Sequence, residues 1–130
     1  MTRNVATFAH LSVGTNDLKR ATAFYDAVLA TLGLARLVTQ PDAVAYGRGS
    51  PDFWIVRPLN EARATVGNGT HIAFRSVRVA DVDSFYTAGI AAGGLDEGKP
   101  GRRATYGAGY YGCFIRDPDG HKIEAMFWDG

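Results

Sequence analysis

The 130 residues, 46% hydrophobic and 21% charged, are enough for one buried core and too few for two conventional domains. With 14 basic and 13 acidic residues the net charge is +1, which gives neither nucleic acid nor an anionic membrane surface an electrostatic footprint. Cys113 is the only cysteine, so an internal disulfide is excluded and a reducing compartment fits. Met1 to His10 lacks an apolar stretch of signal-peptide length and no run approaches membrane-spanning length, so a cytoplasmic chain is expected.

Val5 to Val13 alternates as a strand, with Leu11 and Val13 on one side and His10 and Ser12 on the other. The period then changes. Asn16 suits a helix cap, Asp17 favours the positive helix end, and Leu18, Ala21, Tyr25, Val28, Leu29 and Leu32 recur at helical spacing until Gly33. Three short strands are expected near Ala35–Thr39, Ala43–Gly47 and Asp52–Val56, separated by segments rich in turn residues. Glu61 to Gly69 reads as a linker.

After the linker the pattern restarts. His71 to Phe74 alternates, and Val82, Phe85, Tyr86 and Ile90 mark a helix over Val79–Gly94. A shift of 61 residues matches His10 with His71, Phe24-Tyr25 with Phe85-Tyr86, and Gly33 with Gly94. Agreement of a strand residue, a helix pair and a helix end at one shift predicts a duplicated βαβββ unit. The halves then diverge: Leu95 to Gly109 contains Gly98, Pro100, Gly101, Gly107 and Gly109 and reads as an irregular lid or disordered loop. The expected fold is α+β. Two βαβββ modules, at about 4–58 and 69–128 of a single domain, form a curved, partly closed mixed sheet with a concave pocket.

The last segment carries the chemistry. Asp117-Pro118-Asp119-Gly120 is a turn between two strands, and in the second strand Lys122, Glu124, Met126 and Trp128 share one face. A carboxylate among apolar neighbours needs a proton, a partner or a metal. His10 and His71 fall at equivalent strand positions on that same face. Two imidazoles and one carboxylate bound facially leave open positions on a divalent ion, an arrangement suited to polarising substrate oxygens. His121, in the turn, is expected to be solvated rather than coordinating. Lys99, Arg102 and Arg103 are candidates to hold an anionic substrate, against the simpler reading of a charged loop in water. Tyr106, Tyr110, Phe114, Met126, Trp128 and Trp54 are candidates for an aromatic pocket, with Ser12 and Arg75 on the same open face.

These residues resemble the vicinal oxygen chelate superfamily, also called the glyoxalase, bleomycin resistance and dioxygenase superfamily, over nearly the whole chain. The likeness rests on His10-Leu11-Ser12-Val13, Asp17-Leu18, Ala23-Phe24-Tyr25, Gly69-Thr70-His71-Ile72-Ala73-Phe74 and Asp117-Pro118-Asp119-Gly120-His121-Lys122-Ile123-Glu124. It implies paired βαβββ modules, a central divalent metal (nickel, zinc, manganese or iron) and frequent dimers. Carried over from glyoxalase I, the ligands are His10, His71 and Glu124, but the fourth position falls at Trp54, which cannot ligate. The general-base carboxylate is therefore missing, and standard lactoylglutathione lyase activity is not expected. Extradiol dioxygenases, mostly longer chains, and fosfomycin resistance glutathione transferases use three ligands. The latter carry a tyrosine at the position of Phe114 and basic residues past the last strand, where this sequence has Asp129-Gly130.

The expectation is a cytoplasmic, homodimeric, metal-dependent enzyme that chelates vicinal oxygens of a small substrate, of lyase, dioxygenase or transferase type. The competing expectations are a metal-free drug- or metabolite-binding protein, as in bleomycin resistance, and an inactive structural relative.

Overall fold

The computed structural model describes residues 5–129; residues 1–4, where the first module is expected to begin, and residue 130 lie outside the described residues. Strand β1 (Leu11–Gly14), helix α1 (Leu18–Ala30) and strands β2 (Ala35–Gln40), β3 (Ala43–Gly47) and β4 (Phe53–Val56) form the first module. The second comprises β5 (His71–Arg75), α2 (Val79–Ala91), β6 (Leu95–Arg102), β7 (Tyr110–Arg116) and β8 (Lys122–Trp128). Each module has one four-stranded mixed sheet, ordered β1-β4-β3-β2 and β5-β8-β7-β6, with one parallel pair at the edge.

The expected first strand is shorter than its alternation. It begins at Leu11, whose N–H donates to Asp52 O at 2.8 Å, because its ladder partner β4 begins only at Phe53. Asp17, not Asn16, caps α1: its carboxylate accepts from Arg20 N at 3.0 Å. Asn16 instead exchanges two hydrogen bonds with the backbone of Ala64 and pins the linker. The helix ends where Gly33 adopts φ 78° and Leu34 N bonds Leu29 O. In the second module the equivalent glycine is Gly93 (φ 103°), with Gly94 N on Gly89 O. The 61-residue shift thus holds through the helices, both of which have 13 residues, and slips by one at their exits.

Leu95–Arg102 is the largest departure from expectation. It is a strand, paired with β7 through two register shifts, and a 3₁₀ turn at Ala104–Tyr106 follows. Ladder bonds need only backbone groups, so a glycine-rich segment with little apolar alternation can still pair. Arg103 reinforces it: its guanidinium donates to the carbonyls of Lys99, Gly101 and Gly112.

One core joins the modules. Phe24, Tyr25, Val28 and Leu29 of α1 and Val82 and Phe85 of α2 bury against Val44, Tyr46, Phe53 and Ile55 of one sheet and Cys113, Ile115 and Ile123 of the other. Val13 lies in that core, with Ile72, Phe74 and Phe127 packed against it, as the alternation implies; Leu11, at the strand end, is 41% exposed, and Ile90 lies on the exposed side of α2. Polar contacts lock the arrangement. Asp117 accepts from Tyr25 Oη at 2.6 Å, Asp119 from Thr15 Oγ1 at 2.6 Å, Asn16 N at 3.0 Å and Arg20 at 3.1 Å. His121, expected in solvent, instead lies 2.6 Å from Gly14 O through Nε2, which donates as its N–H. The turn between β7 and β8 is therefore an inter-module clasp.

Candidate metal and substrate site

Strand register assembles the site. In the parallel β5/β8 pair His71 stands opposite Lys122 and Ala73 opposite Glu124, while in the antiparallel β7/β8 pair Phe114 stands opposite Glu124. All point from the sheet face away from the helices. Glu124 is 7% exposed. Its Oε1 lies 3.1 Å from His71 Nε2, and its Oε2 accepts from Tyr110 Oη at 2.6 Å. Burial foremost, then the hydrogen bond to Glu124, raises the Tyr110 phenol far above its usual range, so its hydroxyl is a donor at neutral pH.

A cavity of about 280 Å³ opens over this pair, lined by His71, Tyr106, Tyr110, Phe114, Lys122 and Glu124. The ammonium of Lys122 stands 5.0 Å from the Phe114 ring centre, and the Arg103 guanidinium 5.2 Å from it. A larger hollow of about 550 Å³ lies beside Thr15 and the Arg57–Arg63 segment, where Arg57 pairs with Asp42; no histidine lines it. The 3.1 Å separation of Nε2 and Oε1 suits two donors in adjacent positions on one ion, since bonds of about 2.1 Å at right angles place them about 3 Å apart.

His10 is not part of this cluster. It is exposed, just before β1, with its ring 6.4 Å from that of Trp54. Among the described residues no three His, Cys, Asp or Glu side chains converge in a metal-binding group. The register of β1 with β4 puts Trp54 opposite Ser12, just as Glu124 stands opposite Ala73. Trp54 thus occupies the position equivalent to Glu124, its indole N–H donating to Pro51 O at 3.1 Å. Because both sheets turn their helix-bearing faces into one core, their open faces do not enclose a common space within the chain. The candidate residues thus fall in two groups: His10, just before β1, with Ser12 and Trp54 of the first sheet, and His71, Lys122 and Glu124 of the second.

The other expected pocket residues divide. Tyr106 and Trp128 pack edge-on against Tyr110, at 5.0 and 6.4 Å between ring centres. Met126 is half-buried opposite the exposed Arg75. Arg102 lies over the Tyr111 ring, whose hydroxyl bonds Asp83 of α2, so it belongs to the helix side of the sheet. Arg103 is committed to backbone carbonyls, and Lys99 supplies one of them. Lys122 was not singled out from the sequence as a pocket residue, although its alternation with Glu124 carried the signal.

The model of the Glyoxalase/Bleomycin resistance protein/Dioxygenase superfamily matches residues 7–125. The chain belongs to this superfamily. It is similar to a glyoxalase/bleomycin resistance protein from Albidiferax ferrireducens T118, with a TM-score of 0.87 and 38% identity over 95% of this chain and 100% of that one. Metallothiol transferase FosB of Shouchella clausii (strain KSM-K16) is 28% identical over 118 residues, 88% of this chain and 75% of that protein. A lactoylglutathione lyase from Agrobacterium tumefaciens shares the fold, with a TM-score of 0.68 at 24% identity over 96% of each chain. The superfamily's paired βαβββ architecture is the one described above, with two separate mixed sheets and no closed barrel.

Proposed function

We propose that this superfamily member is a homodimeric, divalent-metal-dependent group transferase, in which His71 and Glu124 of one copy and His10 of a second copy hold the cation. The observation that carries the reading is the buried Glu124 carboxylate, with Oε1 3.1 Å from His71 Nε2 at the mouth of a cavity. Joining the open face of one sheet to the opposite module of a second copy would supply the third ligand and cover both faces. Nickel, zinc, manganese and iron all accept this donor set.

When bound, such an ion polarises adjacent oxygens of a chelated substrate. Lys122 neutralises an anionic substituent, and the rings of Phe114 and Tyr106 line the cavity with it. Trp54 stands where a fourth ligand, a second carboxylate, would act as a base, and no Asp or Glu besides Glu124 lines the cavity. Chemistry that begins by removing a carbon-bound proton is thereby disfavoured. Transfer of a nucleophile delivered by a second reactant suits the site better, in line with the name of the metallothiol transferase relative.

Metal analysis of protein purified without chelator tests this. About one ion per chain is expected, falling at least tenfold in Glu124→Ala and His71→Ala; a metal-free wild type would overturn the reading. A second reading, a metal-free binder of small aromatic molecules, draws support from the same carboxylate, because both its oxygens already have protein partners. Ligand-induced tryptophan quenching that survives chelator would favour that alternative.

A further inference from the structure

Tyr110 occupies an unusual place on β7. It pairs with Trp128, four residues along β8 from Glu124, yet its hydroxyl reaches Glu124 Oε2 at 2.6 Å. To do so the ring lies along its own strand, across the position of residue 112. A Cβ on Gly112 would stand 2.2 Å from the Tyr110 oxygen and 2.6 Å from the ring carbon bearing it. No real side chain tolerates either contact, so glycine at 112 is what admits the tyrosine. The ring is 3% exposed and is held edge-on by Tyr106 and Trp128. Gly107 in turn yields to Trp128, because a Cβ there would lie 2.5 Å from the indole. Two glycines and two aromatics thus aim one hydroxyl at one carboxylate oxygen.

The two oxygens of Glu124 are made inequivalent by this. Oε2 is engaged by a neutral donor on β7, and Oε1 faces His71, which lines the cavity with Glu124. We propose that Tyr110 is a positioning residue that ties down Oε2 and so makes Glu124 a one-oxygen ligand through Oε1. The proposal rests on the metal reading above. A carboxylate fixed in this way cannot swing to chelate the ion through both oxygens, which would consume a coordination position that substrate needs.

Tyr110→Phe removes the hydroxyl and keeps the ring that fills the space. The measurements are Mn²⁺ affinity by calorimetry and the infrared splitting between the two carboxylate stretches of the Mn²⁺-loaded protein, which narrows when one-oxygen binding becomes two-oxygen binding. Tyr111→Phe, which removes a phenol hydroxyl from the same strand but on the helix side, is the control. The expected result is a change in affinity of about tenfold or more with a narrowed splitting in Tyr110→Phe, and neither change in Tyr111→Phe. If wild type binds Mn²⁺ and Tyr110→Phe matches it in both readouts, the positioning role fails while the metal site stands. Equal changes in both variants would also overturn it. If wild type binds no Mn²⁺ at all, the metal reading and this role fail together.

Discussion

Glu124 and Asp117 are both nearly enclosed carboxylates on the β7–β8 hairpin, with opposite fates. Glu124 lines a cavity, with one oxygen held by Tyr110 and the other beside His71. Asp117 is closed on every side: Oδ1 accepts from the backbone of Asp119 and His121, and Oδ2 from Tyr25. Burial outweighs these bonds and raises its pKa above the ordinary 3.8. The folded state therefore holds this proton more tightly than the unfolded chain does. The stabilising contribution is complete below the unfolded value and is lost as pH rises through the folded one. Asp117→Asn keeps an acceptor for both backbone N–H groups and carries no charge. Its unfolding free energy relative to wild type is expected to increase as pH rises from below the ordinary 3.8 through the raised folded-state value, read from urea titrations at each pH. A difference independent of pH would contradict the assignment.

At the scale of elements, most of the fold was legible because its signals are local. The change from a two-residue to a helical period, the turn chemistry of Asp117 to Gly120, and the echo of Phe24-Tyr25 in Phe85-Tyr86 each depend on a few neighbouring residues. β6 was not legible, since its order comes from β7 across the ladder and from Arg103, whose grip on three carbonyls no spacing reveals. Arg103→Ala is expected to cost about 2 kcal/mol in chemical denaturation and to speed amide exchange along β6. Lys at this position should restore little, because an ammonium lacks the fork that spans the carbonyls. Unchanged exchange in β6 would show the strand to be self-sufficient. The site was legible in the same uneven way. Alternation placed His71, Lys122 and Glu124 on one face, but the reach of Tyr110 over Gly112 follows from a ring lying along its strand, which period-two reasoning does not describe.

The whole molecule explains why His10 stands apart. The clasp of Asp117, Asp119 and His121 on the first module, together with the shared helical core, turns both open sheet faces outward. Equivalence by internal repeat is real in register, as Ser12 opposite Trp54 and Ala73 opposite Glu124 show. It does not bring the repeated histidines together within one chain. Under the proposed function a second copy supplies the missing histidine. Metal content after co-expressing His10→Ala and Glu124→Ala subunits tests this sharing. Each variant alone is expected to bind little metal. Random pairing would rebuild one intact site in every mixed dimer, so the mixture should recover about a quarter of the wild-type content. A mixture that binds no more than its separate components, or a His10→Ala protein that retains full metal content alone, would contradict a site shared between copies.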